Sequence, residues 1–290
     1  MVGASEARLG RPSRPRLLPR PLARSPLALA GVVIIALWVL AALGAPALTS
    51  HPPLEQNIGS RLSPPSGAYW LGTDPLGRDV MSRVLYGARL SIPVGISAVA
   101  LAMLLGLAVG SVAGSIGGVV DEGMMRATDL MLAFPTVILA MVITAALGAG
   151  IRNAVIAIMV AWWPSYARLV RAQVLAVRER EFVEAARAVG ASFLRVFVRH
   201  VLPSTISPII ILGTLDVGHA ILTFASLSFL GLGPPPQIPE WGSMIAAGRN
   251  YLLQWWIATF PGLAILSLVL AFNIVGDSLR DLLDPRLRRQ

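Results

Sequence analysis

Apolar residues fall in long runs along this chain, at positions 27–48, 90–116, 130–147, 154–166 (reaching toward 170), 206–232 and 255–275. Most of these runs approach or exceed the ~20 residues an α-helix needs to cross ~30 Å of hydrocarbon. The fourth is the weakest, because Arg168 interrupts it and Pro164 lies inside it. The pattern predicts an all-α integral membrane protein with about six transmembrane helices.

The segments between the runs have characters of their own. The first 26 residues carry six Arg and five Pro, which reads as a disordered basic tail. A cleaved signal peptide competes for this end of the chain, with Gly44-Ala45-Pro46-Ala47 supplying small residues. The first apolar run is longer than the usual ~7–15 residues of such a peptide, and Pro46 obstructs cleavage, so a retained membrane helix is expected. Residues 51–89 are polar and rich in Pro and Gly. Within them Asp74-Pro75-Leu76-Gly77-Arg78-Asp79-Val80 reads as a helix start, with Asp74 as cap and Pro75 in the first helical position. Leu76, Val80 and Val84 recur every four residues, the signature of an amphipathic helix lying in the interface. The division expected is a basic tail (1–26), a first helix with an external segment and interfacial helix (27–89), a core of five helices (90–277) and a short C-terminal tail (278–290).

Composition strengthens the membrane reading. The 290 residues are 55% hydrophobic and only 13% charged, with mean hydropathy +0.70, whereas soluble domains carry about 25% charged residues. Cysteine is absent, which excludes disulfides and thiolate metal sites. All 24 basic residues are Arg. Without Lys, neither a GxxxxGK[ST] phosphate loop nor Schiff-base chemistry is possible on this chain. The net charge of +9 is dispersed between apolar runs instead of covering one soluble face, which argues against nucleic acid as partner. With the N-terminus placed in the cytoplasm, eighteen Arg fall inside and six outside, so both termini are expected to be cytoplasmic. The outside group at Arg78, Arg83 and Arg89 runs against that rule.

The loop 171–205 is the most informative stretch. Glu181-Phe182-Val183-Glu184-Ala185-Ala186-Arg187-Ala188-Val189-Gly190 is followed by Ala191-Ser192-Phe193-Leu194-Arg195-Val196-Phe197-Val198-Arg199-His200-Val201-Leu202-Pro203. Glu, Ala and Arg favour a first helix and Gly190 suits its left-handed end. Ser192 can cap a second helix, which Pro203 is expected to stop. Phe193, Val196, Phe197 and His200 then share a face, as a surface offered to another protein. A solvated basic loop is the alternative. The order Glu-Ala-Ala, Gly, Leu-Pro resembles the EAA motif of ATP-binding-cassette (ABC) importer permeases, matched here by Glu184, Ala185, Ala186, Gly190, Leu202 and Pro203. His200 replaces the usual aliphatic residue two before Leu-Pro.

Two more segments resemble one branch of that family, the dipeptide/oligopeptide/nickel permeases. Leu71-Gly72-Thr73-Asp74-Pro75-Leu76-Gly77-Arg78-Asp79 is similar to its GTDxxGRD signature, and Ser226-Leu227-Ser228-Phe229-Leu230-Gly231-Leu232-Gly233, with Pro235 and Trp241-Gly242, to its stretch closing the fifth span. The N-terminal layout resembles the C-type subunit. The resemblance implies an ABC type I importer (MetI-like) permease fold in a bacterial inner membrane, and a non-catalytic subunit serving peptide transport, with nickel or another small solute as alternative. It implies as partners a homologous second permease subunit (DppB/OppB-like), two ATP-binding subunits and an extracytoplasmic substrate-binding protein. ATP and Mg would sit on the ATP-binding subunits, this chain binding no cofactor and no metal. Loop 171–205 would be the coupling helix docked on the ATP-binding subunit, Phe193, Phe197 and His200 included.

Two features stand apart from these motifs. Gly106, Gly110, Gly114 and Gly118 repeat every four residues and predict close helix packing. Asp216 and His219 lie three apart inside the fifth run, where ionisable groups usually face protein or water. They either line a pathway and meet polar groups of a solute or satisfy one another between helices. One Asp and one His are too few ligands for a zinc or nickel site. Family members commonly carry an acidic residue where Phe224 stands here. A membrane-embedded enzyme would need a constellation such as HExxH, which three His at positions 51, 200 and 219 do not form. A secondary transporter or channel would carry an inverted repeat or a filter, and neither is evident.

Overall fold

The structure is a computed structural model that describes residues 26–283, apart from the side chains of Arg187, Phe193, Leu194 and His200. Residues 1–25 of the basic tail and the end of the C-terminal tail therefore lie outside the described residues. The described residues form helices and connecting loops with no strand: α1 (Pro26–Leu48), α2 (Val80–Ile116), α3 (Gly118–Leu132), α4 (Thr136–Leu147), α5 (Ile151–Arg178), α6 (Glu181–Ala188), α7 (Phe193–Val196), α8 (Leu202–Phe229), α9 (Trp241–Gly248) and α10 (Trp256–Leu283). Four of them, α1, α2, α8 and α10, are long and apolar enough to cross a membrane, and the bent pair α3–α4 is a fifth candidate. Together with α5 they account for the six apolar runs.

α1 is apolar all round, and its exposed Leu and Val residues suit lipid as solvent. It meets the bundle through small residues, Ala28, Gly31, Ala42 and Ala45. A Cβ on Gly31 would stand 3.0 Å from the Ala271 carbonyl of α10, so the two backbones touch there. Trp38 donates its indole N–H to Ser267 Oγ of α10 at 2.9 Å.

The expected helix start at Asp74 lies in a turn instead. Asp74 does cap free N–H groups, its Oδ1 accepting from Leu76 at 2.8 Å and Arg78 at 3.0 Å, but the helix begins at Val80. Asp79 is the N-cap, with Oδ2 accepting from the Ser82 amide at 2.8 Å. Gly77, at φ 72°, closes the turn against the Asn57 backbone, where a side chain has no room. α2 then runs unbroken for 37 residues, so no separate interfacial helix precedes the second span.

Of the Arg residues that opposed the charge rule, Arg78 and Arg83 are buried, while Arg89 is exposed. Arg78 Nε lies 2.6 Å and Arg83 Nε 3.7 Å from Asp74 Oδ2. The same guanidinium groups reach carbonyls on the loop between α8 and α9, Arg78 and Arg83 both meeting Pro236 O, at 3.4 and 3.2 Å. Arg83 also donates to Pro53 O at 3.2 Å. One carboxylate and two cations thereby tie the segment after α1, the start of α2 and the α8–α9 loop into a single knot. Beside it Trp241 is fully buried and donates to Val84 O at 2.9 Å. Glu240 caps α9 by accepting from Gly242 and Ser243 at 2.8 Å each; burial pushes its carboxyl up, against the pull of those donors.

The expected single span over 130–147 is broken by a bend of 90° between α3 and α4. Pro135 is the cause: it lacks an N–H and disfavours the α conformation in Phe134 before it. α3 is tethered to α5 by Arg171, which pairs both oxygens of Asp121 at 2.5 and 2.6 Å, and by Arg168 on Asp129 at 2.6 Å. Those charges explain why α5 is too polar to rank with the apolar spans.

α5 nevertheless lies at the centre, along α2 and against α4 and α8. Gly106, Gly110 and Gly114 form the α2 side of that seam: a Cβ on any of them would run into Tyr166, Ala167, Val170, Arg171 or Val174. Close helix approach thus explains three of the four glycines. Gly118 does not belong with them, since α2 has already ended and it faces open space at φ 58°.

Candidate functional site

Two places in the fold carry candidate function. The first is the excursion between α5 and α8. α6 ends in Gly190, at φ 82°, with Ala191 N–H bonded to Ala186 O at 3.0 Å, the six-to-one closure of a Schellman motif. Gly190 meets nothing within 4 Å, so its left-handed backbone, not crowding, calls for glycine here. Glu184, Ala185 and Gly190 are exposed, while Ala186 packs against the core. Val189 is 85% exposed and Val198 52%, large fractions for apolar residues.

The second half of the excursion differs from expectation. Pro203 does not stop a helix; it occupies the first turn of α8, which continues to Phe229. The chain accommodates it by a π-helical stretch, Phe197–Val201, in which the Leu202 amide donates to Phe197 O. A proline within a helix removes an N–H and crowds the carbonyl four residues back, and the wider π turn relieves both. The face assigned to aromatic display turns inward on the residues described: Val196 is 3% exposed and Phe197 packs against the core. The side chains of Phe193 and His200 lie outside the described residues. Leu202 is half-buried and Pro203 exposed.

The second place is a recess of about 440 Å³ between α4, α5 and α8. Asp216 and His219 both line it, joined by Thr223 and Ser226 on α8 and by Trp162 and Ser165 on α5. They do not bond to each other. Asp216 Oδ2 instead accepts from the hydroxyl of Tyr166 at 2.6 Å, and His219 Nδ1 lies 3.2 Å from Leu215 O. Tyr166 is fully buried, wedged against Gly106 of α2, so one hydrogen bond fixes the carboxylate to the α2–α5 seam. Asp216 and His219 were visible in sequence as polar positions three apart on one helix face; Thr223 and Ser226, which continue that stripe, were missed. Tyr166 was missed too, because its partner lies fifty positions away on another helix. Phe224 is fully buried and does not line the recess. Among the described residues no group of three or more His, Asp or Glu is placed to hold a metal ion.

Residues 106–289 match the family of binding-protein-dependent transport system inner membrane components. The chain belongs to that family. Residues 19–65 match the N-terminal transmembrane domain of oligopeptide transport permease C, in agreement with the C-type layout read from the N-terminus. Relatives include the dipeptide transport system permease protein DppC of Alkalihalophilus pseudofirmus, 44% identical over 93% of this chain and 89% of that protein. The di/tripeptide transport system permease protein DppC of Pseudomonas aeruginosa is also 44% identical, over 90% of this chain and 88% of the relative. The nickel transport system permease protein NikC of Escherichia coli reaches 44% over 88% of this chain and 93% of its own length. The all-helical bundle with its bent pair is thus a MetI-like permease fold, and the chain is a multi-pass membrane subunit of a transporter.

Proposed function

We propose that this chain is the C-type permease of a bacterial ABC importer for short peptides, in the inner membrane with both termini cytoplasmic. The observation that carries the reading is the exposed α6–Gly190–α7 excursion, which leaves the bundle between two long helices and offers Glu184, Ala185, Gly190, Val189 and Val198 outward. The ATP-binding subunit grips this loop as a coupling helix, with Ala186, Phe193, Phe197, His200, Leu202 and Pro203 shaping the grip. α5 and α8 flank the loop and also wall the recess, so movement of the loop displaces the Asp216 region. ATP and Mg are held by two partner ATP-binding subunits and no cofactor by this chain. A DppB/OppB-like sister permease completes the pathway and an extracytoplasmic binding protein delivers the solute. The substrate class rests on the peptide permeases among the relatives. The equally similar nickel permease favours a small-solute reading as the alternative.

The test is coupling in the reconstituted complex. Gly190→Val and Glu184→Lys should each cut solute uptake by tenfold or more, a loss of ~1.4 kcal/mol or more of coupling, while ATP hydrolysis persists. Wild-type uptake by both variants defeats the reading.

A further inference from the structure

We infer that the recess between α4, α5 and α8 is a subsite for a protonated amine of the solute, held by Asp216 and positioned through Tyr166. This deepens the permease reading and rests on the recess lying in the solute's route. The polar side chains that α8 brings to the recess offer mainly hydrogen-bond acceptors. Asp216 Oδ2 accepts a hydrogen bond from the Tyr166 hydroxyl at 2.6 Å, and Oδ1 has no partner among the described residues. Leu215 O can only accept, so the His219 Nδ1 opposite it carries the proton, and in the neutral ring Nε2 is left as an acceptor. The Thr223 hydroxyl gives its proton to His219 O and the Ser226 hydroxyl to Leu222 O, both at 2.8 Å. Each of those oxygens keeps only lone pairs for a ligand. Thr136 and Ser165 complete the wall with hydroxyls free to turn either way, and Trp162 adds an aromatic surface of the kind that attracts cations.

Lone pairs along α8 around one fixed carboxylate have a definite complement: a group with several N–H donors and a positive charge. A primary ammonium has three donors and fits; a carboxylate would meet the like charge of Asp216. A divalent metal is disfavoured, since one Asp and one His provide two ligands. Tyr166 is a positioning residue. Its hydroxyl fixes Asp216 against α2 and α5, which keeps the second carboxylate oxygen directed at the recess instead of folding onto His219.

Because the chain has no cysteine, a single thiol can report on the recess. Ser226→Cys is placed in the assembled complex, and modification of this chain is timed with a trimethylammonium and with a sulfonate methanethiosulfonate of similar size. The cation is expected to react about tenfold faster, equivalent to ~1.4 kcal/mol of charge preference. Asp216→Asn should bring the ratio to within about twofold, and Tyr166→Phe should lower it about threefold, since the carboxylate keeps its charge and loses only the bond that directs it. Alanyl-alanine should slow the reaction and its N-acetyl form should not. A ratio near one with Asp216 intact, a ratio unmoved by Asp216→Asn, or a thiol inert to both reagents overturns the inference. Uptake of alanyl-alanine by the unsubstituted complex is measured alongside. Charge selectivity without uptake counts against the peptide reading alone, and uptake without charge selectivity counts against the amine subsite alone.

Discussion

The two motifs that stood out most in this chain have opposite physical characters. The knot at 72–84 is buried and bonded outward along the chain: Arg78 and Arg83, held on Asp74, reach Pro236, Arg83 also reaches Pro53, and Trp256 donates to Thr73 O at 3.1 Å. The excursion at 181–203 is exposed through most of α6 and closed by local bonds, with Val189 and Val198 left in the open. A motif whose polar groups are satisfied internally holds the molecule together. One whose backbone is satisfied locally and whose side chains are not is shaped for something outside it. Both contain glycine at positive φ, yet Gly72 and Gly77 of the knot also have neighbouring backbone pressed against them, and Gly190 does not.

That contrast can be broken most severely in the knot. Asp74→Ala leaves two buried guanidinium groups without their carboxylate. The expected loss is 3–5 kcal/mol, read as lost thermal stability and poor yield in detergent. Gly110→Ala in the α2–α5 seam should cost about 1–3 kcal/mol in the same measurement, because the new methyl group meets the Ala167 carbonyl, which cannot swing aside. Asp121→Asn removes a half-exposed pair between α3 and α5 and should cost about 1 kcal/mol or less, shrinking further in high salt. Gly190→Ala should leave global stability nearly untouched, since the strain of about 1 kcal/mol falls on a loop that can open locally. Its mark should be a fall in uptake per ATP hydrolysed. A Gly190 variant that unfolds the protein, or an Asp74 variant as stable as the wild type, would erase the distinction between the two motifs.

The membrane character, the positions of the apolar helices and the Gly190 turn were legible in the linear pattern. Each depends on residues close together in sequence: a run of twenty apolar side chains, or one glycine after a helix-forming stretch. Helix boundaries were less legible. Pro135 bends the third run because its effect falls on a neighbour's backbone, whereas Pro203 is absorbed by a π turn that no local rule demanded. Asp74 looked like a helix cap and does cap amides, but those of a turn, since Asp79 is better placed for the helix. In the candidate recess, Asp216 and His219 were visible as misplaced polarity; the partner that fixes Asp216 was not.

By itself the chain's order of residues determined the solvent this protein lives in, because the free energy of placing a side chain in hydrocarbon is nearly a property of that side chain alone. It determined too that a short helical pair would interrupt the bundle between α5 and α8. Only the tertiary structure decided which polar groups would be neutralised and which left available. Arg83 is spent on carbonyls from two distant loops, and Asp216 keeps one oxygen for the recess because Tyr166 arrives from another helix. The reason is physical: a buried charge is tolerable only beside a specific partner, and what brings the partner is the packing of helices, not proximity along the chain.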